Sequence, residues 1–295
     1  MLWVPQTANE TEGKRVLRRT APLAFGAFAL SREDEGDALL AGGSGVFTSA
    51  FSGLTAKHIG RHFLQLDTRC EHPPRGRFFT QYATRLFQHL NPLDDADQPE
   101  HSVWHVTHVW DSPLTDISAV QVARIDGTTN EPTGYWPWRL LPPPVGAQVY
   151  IIGFPGFTLD DIPDRDEVSI GMALTFQVAN VLEVYEERRG TGFLNYPCFE
   201  VDCRVDAGFS GGAVIYDNAL CGVVSAASSF EEKTWCSTLW PLAFLGLESE
   251  LSSTVRMGDL FEDGVIATID WSEARERLSE RHDDCGRIYA AIERA

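Results

Sequence analysis

The richest chemical pattern in the sequence is a single serine set among glycines. Residues 206–212 read Asp-Ala-Gly-Phe-Ser-Gly-Gly, with the serine at position 210. A nucleophilic hydroxyl has to stand clear of its own backbone, and a developing oxyanion needs main-chain N–H groups that point at it. Tight glycine-rich turns supply both. Ser210 is therefore a candidate nucleophile for acyl transfer, although the same spacing also occurs in ordinary turns.

The residues after Ser210 separate two kinds of nucleophile. Residues 213–225 predict a strand, an Asp-Asn turn at 217–218 and a second strand. The nucleophile elbow of α/β-hydrolases needs a helix at this point, with its acid and histidine downstream. His282 is the only histidine downstream, in a segment predicted to be helical. An esterase of that type is therefore the weaker alternative.

A base and a carboxylate lie upstream, each where a strand meets a turn. The stretch Leu-Thr-Ala-Lys ends in His58, and Asp116 opens the apolar segment 117–120. Catalytic groups are usually displayed from a rigid scaffold at such positions. His62 lies outside this pattern, and Asp111, a possible alternative carboxylate, has no apolar strand directly after it.

The elements that must hold these side chains are mostly strands. Short apolar or alternating segments rich in Val, Ile, Phe and Tyr are separated by Gly, Pro and Asp, which favours an all-β fold. The segments are 38–48, 103–110, 117–122, 148–153, 174–184, 199–205 and 213–225, after a first strand predicted within 22–30.

Three other regions break this pattern. The proline-rich stretch 130–144 predicts a connection between two halves, and 67–100 is typical of a long surface insertion. The tail predicts a helix after the capping pair Asp270 and Glu273. Its apolar residues recur at helical intervals: Ala274, Leu278, Cys285, Ile288 and Ile292.

Composition excludes several classes of function. The chain has 295 residues, with 24 Lys and Arg against 42 Asp and Glu, so its formal charge is −18. That charge argues against a nucleic-acid partner. No apolar stretch is long enough to cross a bilayer, which predicts no membrane association.

The cysteines and histidines favour neither export nor metal binding. Six cysteines without a CxxC pair predict a reduced, cytoplasmic protein with no zinc site. Arg18-Arg19 before the apolar run could open a twin-arginine export signal, but a first strand is the preferred interpretation. His101, His105, His108 and Asp111 could suggest a metal site, but the residues between them predict a strand rather than one helical face.

Taken in order, these motifs make the sequence resemble the trypsin-like, chymotrypsin-fold serine peptidases. Residues 54–58 are similar to the family's histidine motif, 116–120 to its aspartate motif and 208–212 to its serine motif. Residues 149–156 look like a strand common in bacterial members, and 201–210 look closest to HtrA-like peptidases. The resemblance spans about residues 22–245.

The resemblance implies a fold and its division. The expected fold is all-β, with two antiparallel six-stranded β-barrels of chymotrypsin type and a C-terminal helix. The expected parts are an N-terminal extension (1–20), an N-terminal barrel (21–130), a linker (131–146), a C-terminal barrel (147–250) and a C-terminal extension (251–295).

It also implies a serine endopeptidase that works through an acyl-enzyme. Ser210 would attack the scissile carbonyl, His58 would take its proton, and Asp116 would orient the imidazole. The N–H groups of Gly208 and Ser210 would form the oxyanion hole, and the substrate backbone would pair with Ser225, Ala226 and Ala227. No metal or organic cofactor is implied. The expected partners are a protein or peptide substrate and a regulatory protein.

The sequence departs from the family at several positions. The cysteines that bracket the histidine and tie the serine loop in secreted members are absent. Phe209 stands where activated zymogens carry an aspartate that pairs with the newly cut N-terminus, so activation by that ion pair is excluded. The alternative interpretation is that Phe209 packs in the core. Arg204 falls near the base of the first substrate pocket. However, the strand alternation places it on a polar face with Glu200, Asp202 and Asp206, which favours a surface ion pair. A catalytically silent binding module is the second functional class.

Overall fold

The computed structural model describes most of the chain, and all that follows concerns those residues. The described ranges are 27–33, 39–59, 84–89, 101–124, 135–155, 158–161, 168–171, 175–190, 192, 194–249, 252–282 and 288–292. No helix within these ranges has the length and apolarity that a bilayer crossing requires.

The first barrel is closed by six antiparallel strands in the order β1-β2-β3-β6-β5-β4. Its strands are β1 (Ala27–Glu33), β2 (Leu39–Ser49), β3 (Ser52–Ala56), β4 (Thr84–His89), β5 (His101–Asp111) and β6 (Ile117–Arg124). β3 pairs with β6 so that Ala56 lies opposite Ile117. The end of β3 therefore meets the start of β6, where the candidate histidine and aspartate lie.

The second barrel is closed by six antiparallel strands in the order β10-β11-β14-β13-β12-β7. They are β7 (Gln148–Gly153), β10 (Thr175–Tyr185), β11 (Cys198–Val201), β12 (Ala213–Tyr216), β13 (Ala219–Ala227) and β14 (Thr234–Thr238). β8 (Thr158–Asp161) and β9 (Val168–Gly171) form a separate hairpin. The predicted all-β fold with two six-stranded barrels is confirmed.

The turn between β12 and β13 shows how local sequence sets this barrel. Asp217 and Asn218 both have positive φ, 48° and 61°. Asp and Asn tolerate this region, and two such residues in succession turn a strand back on itself with the twist that a hairpin needs. The predicted strand, turn and strand are confirmed, and Ser210 is followed by a strand rather than by a helix.

The C-terminal segment packs on the connection between the barrels. It comprises a 3₁₀ helix (Trp240–Phe244), β15 (Gly246–Ser249), β16 (Ser252–Arg256), α1 (Met257–Glu262), α2 (Trp271–Arg277), β17 (Leu278–His282) and β18 (Ile288–Ile292). Trp138, which is 2% exposed, meets Phe261 edge-on with ring centroids 5.5 Å apart. The backbone N–H of Trp138 also donates to Ala267 O at 2.8 Å. This segment therefore fixes the linker.

Asp270 does not cap α2 through its side chain as the sequence predicts. It occupies the N-cap position, but its carboxylate accepts hydrogen bonds from the Leu140 and Leu141 N–H groups of the linker, both at 2.9 Å. Burial raises the pKa of Asp270, and the two backbone donors offset part of that effect. Buried N–H groups need an acceptor, so the carboxylate bonds to the linker amides rather than to the start of α2.

Two predictions about local structure were wrong in extent. The tail helix ends at Arg277, because residues 278–282 pair with 288–292 as the hairpin β17–β18. Leu278, Ile288 and Ile292 therefore lie on strands, and Cys285 lies outside the described residues. The stretch 67–100 is not wholly a surface insertion, since it contains β4, which pairs with β1 and β5 and closes the first barrel.

Candidate active site

His58 and Asp116 form a hydrogen-bonded pair at the junction of β3 and β6. The His58 N–H donates to Asp116 Oδ1 at 3.0 Å, and the ring Nδ1 lies 2.7 Å from Oδ2. The Asp116 side chain is 11% exposed, whereas that of His58 is 40% exposed. A carboxylate only accepts hydrogen bonds, so Nδ1 carries the hydrogen and Nε2 is left to accept a proton.

Lys57 braces the turn that delivers Asp116. Its Nζ donates to Ser112 O at 2.6 Å and to Thr115 O at 2.9 Å. Its backbone N–H donates to Asp116 O at 3.1 Å. Sequence reasoning missed this role. The available signal was a charged residue inside an otherwise apolar strand end, directly before the histidine.

The serine loop, residues 206–212, depends on glycine at two positions. Gly208 has φ +99°, and a Cβ there would come within 2.5 Å of Phe154 O. Gly211 has φ +88°, and a Cβ there would collide with Ser44 O. Larger residues would be strained at both positions and would also displace neighbouring backbone. The close approach that glycine allows brings the loop against β2 of the first barrel.

Phe209 is a core residue of the second barrel. It is completely buried among the side chains of that barrel's core. Its ring lies so near Gly153 of β7 that a Cβ there would come within 2.6 Å. The interpretation of Phe209 as core packing is confirmed, and the serine loop is anchored by apolar contact where zymogens use an ion pair.

Ser210 lies against the end of the first barrel that carries His58. The Ser44 N–H donates to Ser210 O at 2.7 Å. A Cβ on Gly43 would come within 2.8 Å of Ser210 O and 3.0 Å of the Ile59 side chain. The serine and the neighbour of His58 thus flank the same residue of β2. Within the described residues no hydrogen bond joins the Ser210 hydroxyl to the His58 ring, so their pairing stays a prediction.

The loop leaves two N–H groups for an incoming oxygen. Gly211 N–H donates to Val224 O at 2.8 Å, and Gly212 N–H donates to Phe209 O at 2.7 Å. By contrast, the N–H groups of Gly208 and Ser210 have no acceptor in the part of the chain that the structure describes. Two N–H groups two residues apart in a tight turn can stabilise an oxyanion.

The predicted substrate strand lies at the end of β13. Ser225 is buried, with its Oγ 2.7 Å from Ser237 Oγ, whereas Ala226 is half-buried and Ala227 is exposed. Any contact of Ser225 with substrate is therefore through its backbone. Behind this strand, burial raises the pKa of the Tyr196 phenol well above its usual value, and the negative charge of Asp116 adds to the rise.

The polar face predicted from the alternation of residues 199–205 is only partly right, and the strand itself, β11, ends at Val201. Arg204 is exposed but forms no ion pair within the described ranges. Glu200 is 3% exposed rather than on the surface. Its carboxylate accepts hydrogen bonds from Lys233 Nζ at 2.8 Å and Trp235 Nε1 at 2.9 Å. Burial acts to raise the pKa of Glu200, but these donors outweigh it and lower the pKa.

A cavity of about 420 Å³ opens beside this carboxylate. Tyr185, Arg189, Leu194 and Trp235 line it. The Arg189 guanidinium lies over the Trp235 ring, 4.5 Å from its centroid. Because Trp235 is paired with Ala226, the cavity lies next to the predicted substrate strand.

The remaining candidate residues lie elsewhere. His101, His105 and His108 are on the predicted strand, β5, and His108 stacks on Trp110 with centroids 5.5 Å apart. Asp111 accepts a hydrogen bond from Ser118 Oγ at 2.5 Å. His282 lies on β17, and His62 lies outside the described residues.

Comparison with solved structures identifies the fold. The Rv3671c protease from M. tuberculosis in its active form is 17% identical, with a TM-score of 0.50 over 82% of this chain and 91% of that one. The two-barrel fold is that of chymotrypsin-type serine proteases.

Two further solved structures are similar at lower scores. The inactive form of the Rv3671c protease is 16% identical, with a TM-score of 0.47 over 81% of this chain and 93% of that one. GrC is 13% identical, with a TM-score of 0.46 over 72% of this chain and 88% of that one. No family model and no curated protein sequence matches the chain.

Proposed function

We propose that the protein is a serine endopeptidase that uses Ser210 as nucleophile, His58 as general base and Asp116 as the orienting carboxylate. The observation that carries the proposal is the bonded His58–Asp116 pair, set at the end of the first barrel against which the serine loop packs. The fold supports a protease at a coarser level.

The chemistry follows from the available atoms. His58 Nε2 takes the proton of the Ser210 hydroxyl while Oγ bonds to the scissile carbonyl carbon, and the carbonyl oxygen becomes an oxyanion. The N–H groups of Gly208 and Ser210 donate to that oxygen. The imidazolium then protonates the leaving amine as the C–N bond breaks. Water, deprotonated by His58, releases the acid and restores the serine.

A fluorophosphonate probe tests the assignment directly. Ser210 Oγ bonds to phosphorus, fluoride leaves, and His58 takes the hydroxyl proton. We expect labelling of the wild type and none of Ser210→Ala or His58→Ala, while Ser229→Ala, an exposed serine, is labelled normally. Peptide turnover should fall on the order of a millionfold in Ser210→Ala if the three side chains act as a unit. Labelling lost in His282→Ala but kept in His58→Ala would instead show an esterase of the α/β-hydrolase type.

A catalytically silent binding module is the second candidate. The observation that favours it is the missing hydrogen bond between the Ser210 hydroxyl and the His58 ring. Incubating a cell lysate with the wild type and with Ser210→Ala, then mapping new N-termini, separates the candidates. Cleavages made only by the wild type support the peptidase, and identical patterns support the binding module.

We also propose a reducing compartment, because the described cysteines, Cys198, Cys203, Cys221 and Cys236, are all free. The proposed regulatory partner restrains the enzyme there, since Phe209 excludes control through the zymogen ion pair. Burial raises the pKa of both Cys198 and Cys203 to about 12. Such thiols are inert, so the serine loop relies on packing and hydrogen bonds rather than on disulfides.

A further inference from the structure

Ser44 connects the two barrels at the base of the serine loop. It lies on β2 of the first barrel and is completely buried. Its Oγ–H donates to Gly208 O at 2.6 Å, and the same oxygen accepts a hydrogen bond from Phe154 N–H of the second barrel at 2.8 Å. One hydroxyl therefore satisfies a carbonyl of the loop and an amide at the end of β7.

The backbone of Ser44 holds the same loop at a second point. Its N–H donates to Ser210 O at 2.7 Å, and its own carbonyl accepts from Thr55 Oγ1 at 2.8 Å. Ser44 thus fixes the carbonyls of Gly208 and Ser210, which lie on either side of Phe209. The Thr55 contact in turn fixes Ser44 to β3, two residues before the turn that carries His58.

These bonds determine where the loop's N–H groups point. A peptide unit is planar, so holding a carbonyl also fixes the amide on the other side of the unit. Phe209 O is held by Gly212 N–H, which fixes the Ser210 N–H. The Ser44 hydroxyl holds the Gly208–Phe209 unit, and the Ser44 N–H holds the Ser210–Gly211 unit. The unit that carries the Ser210 N–H is therefore fixed on both sides.

We propose that Ser44 is a positioning residue: by holding the peptide units on both sides of the Phe209–Ser210 unit, it keeps the Ser210 N–H in the orientation that an oxyanion requires. This inference rests on the proposed function. The side chain of Phe209, which stands where zymogens carry an aspartate, supplies only apolar contact and cannot orient a peptide unit. The Ser44 hydroxyl supplies a side-chain hydrogen bond from the other barrel that does so, and this bond needs no cleaved N-terminus.

Replacing Ser44 with alanine removes the hydroxyl and leaves Gly208 O and Phe154 N–H buried without it. We expect the maximal rate of labelling by a fluorophosphonate to fall about ten- to a hundredfold, part of the loss expected for a whole oxyanion donor. The probe concentration at half-maximal rate should change by less than about threefold, because the groups that bind the probe remain. Amide hydrogen exchange over residues 206–212 should rise at least about tenfold.

Thr234→Val is the matched control. Thr234 is also completely buried, and its Oγ1 likewise donates to one carbonyl, Cys203 O at 2.7 Å, and accepts from one amide, Val205 N–H at 3.2 Å. Both variants are measured well below their melting temperatures. The control should label within about threefold of the wild type and keep exchange over 206–212 unchanged, so a general loss of stability cannot mimic the effect.

The outcomes separate this inference from the proposed function. If the wild type is not labelled, the proposed function is refuted. Amide exchange over residues 206–212 in Ser44→Ala then tests by itself whether Ser44 holds the loop. Unchanged amide exchange in Ser44→Ala refutes the positioning role of Ser44, as does a labelling rate that falls no further than in Thr234→Val. A selective rise in exchange together with a lower maximal rate supports it.

Discussion

Changing Asp116 to asparagine keeps the shape of the side chain but removes its negative charge. It also replaces one hydrogen-bond acceptor, a carboxylate oxygen, with a donor, the amide NH₂. Asp116 accepts twice, from the His58 N–H at 3.0 Å and from the ring Nδ1 at 2.7 Å. An amide can accept on only one side and must donate on the other. If its oxygen stays with the backbone N–H, its NH₂ faces Nδ1, and the ring has to carry its hydrogen on Nε2.

That tautomer cannot take a proton from Ser210. The alternative amide orientation keeps the productive ring but sets an NH₂ group against the His58 N–H, a buried mismatch that costs about 1–3 kcal/mol. The imidazolium also loses its neighbouring negative charge. Together these losses predict a fall in turnover of about ten-thousandfold, or about 5.4 kcal/mol at 1.36 kcal/mol per factor of ten.

The assay measures the fluorophosphonate labelling rate and peptide turnover in Asp116→Asn, with Asp111→Asn as the control. Asp111 bonds to Ser118 and has no contact with His58 in the described residues, so its variant should remain within about threefold of the wild type. A well-folded Asp116→Asn enzyme that keeps more than about a tenth of the activity would refute the assigned role of this carboxylate.

Three further predictions concern stability. Asp270→Asn should lower the free energy of unfolding by about 1–3 kcal/mol, since an amide cannot accept from both linker N–H groups, and the melting temperature should fall about 2–4 °C per kcal/mol. Glu200→Gln should lower the free energy of unfolding by about 1–3 kcal/mol, because it removes the buried carboxylate charge that pairs with Lys233. Because the pKa of Glu200 is lower in the folded chain than its usual value of 4.5, its stabilisation is complete above that pH and is lost as the pH falls through the folded pKa. Phe209→Ala should cost about 3–5 kcal/mol through a cavity in the second barrel.

Each of these predictions has a matched surface control measured by thermal and chemical unfolding. The controls are Asp263→Asn, Glu232→Gln and Phe230→Ala, all at exposed positions, and Phe230 is 99% exposed. Each control should stay within about 0.5 kcal/mol of the wild type. Equal losses in a variant and its control would contradict the role assigned to the buried side chain. For Glu200→Gln, an acid sensitivity equal to that of the wild type below pH 4.5 would do the same.

The sequence alone determined the features that depend on local backbone chemistry. The Asp217-Asn218 turn, the glycines of the serine loop and the placement of His58 and Asp116 at strand ends follow from residue types a few positions apart. Positive φ and close backbone approach each require particular residues. The strand alternation likewise predicted that Phe199 and Val201 lie inside the second barrel.

Only the tertiary structure decided the features that join distant residues. The Ser44 hydroxyl meets Gly208 across 164 positions, and Asp270 meets Leu140 across 130. Glu200 alternates like a surface residue but is buried beside Trp235 of β14 and Lys233, which directly precedes β14. A polar side chain satisfies whatever buried group the fold places beside it. Periodicity does not record which partner the fold supplies. For the same reason, residues 278–282 and 288–292 pair as strands despite their helical spacing.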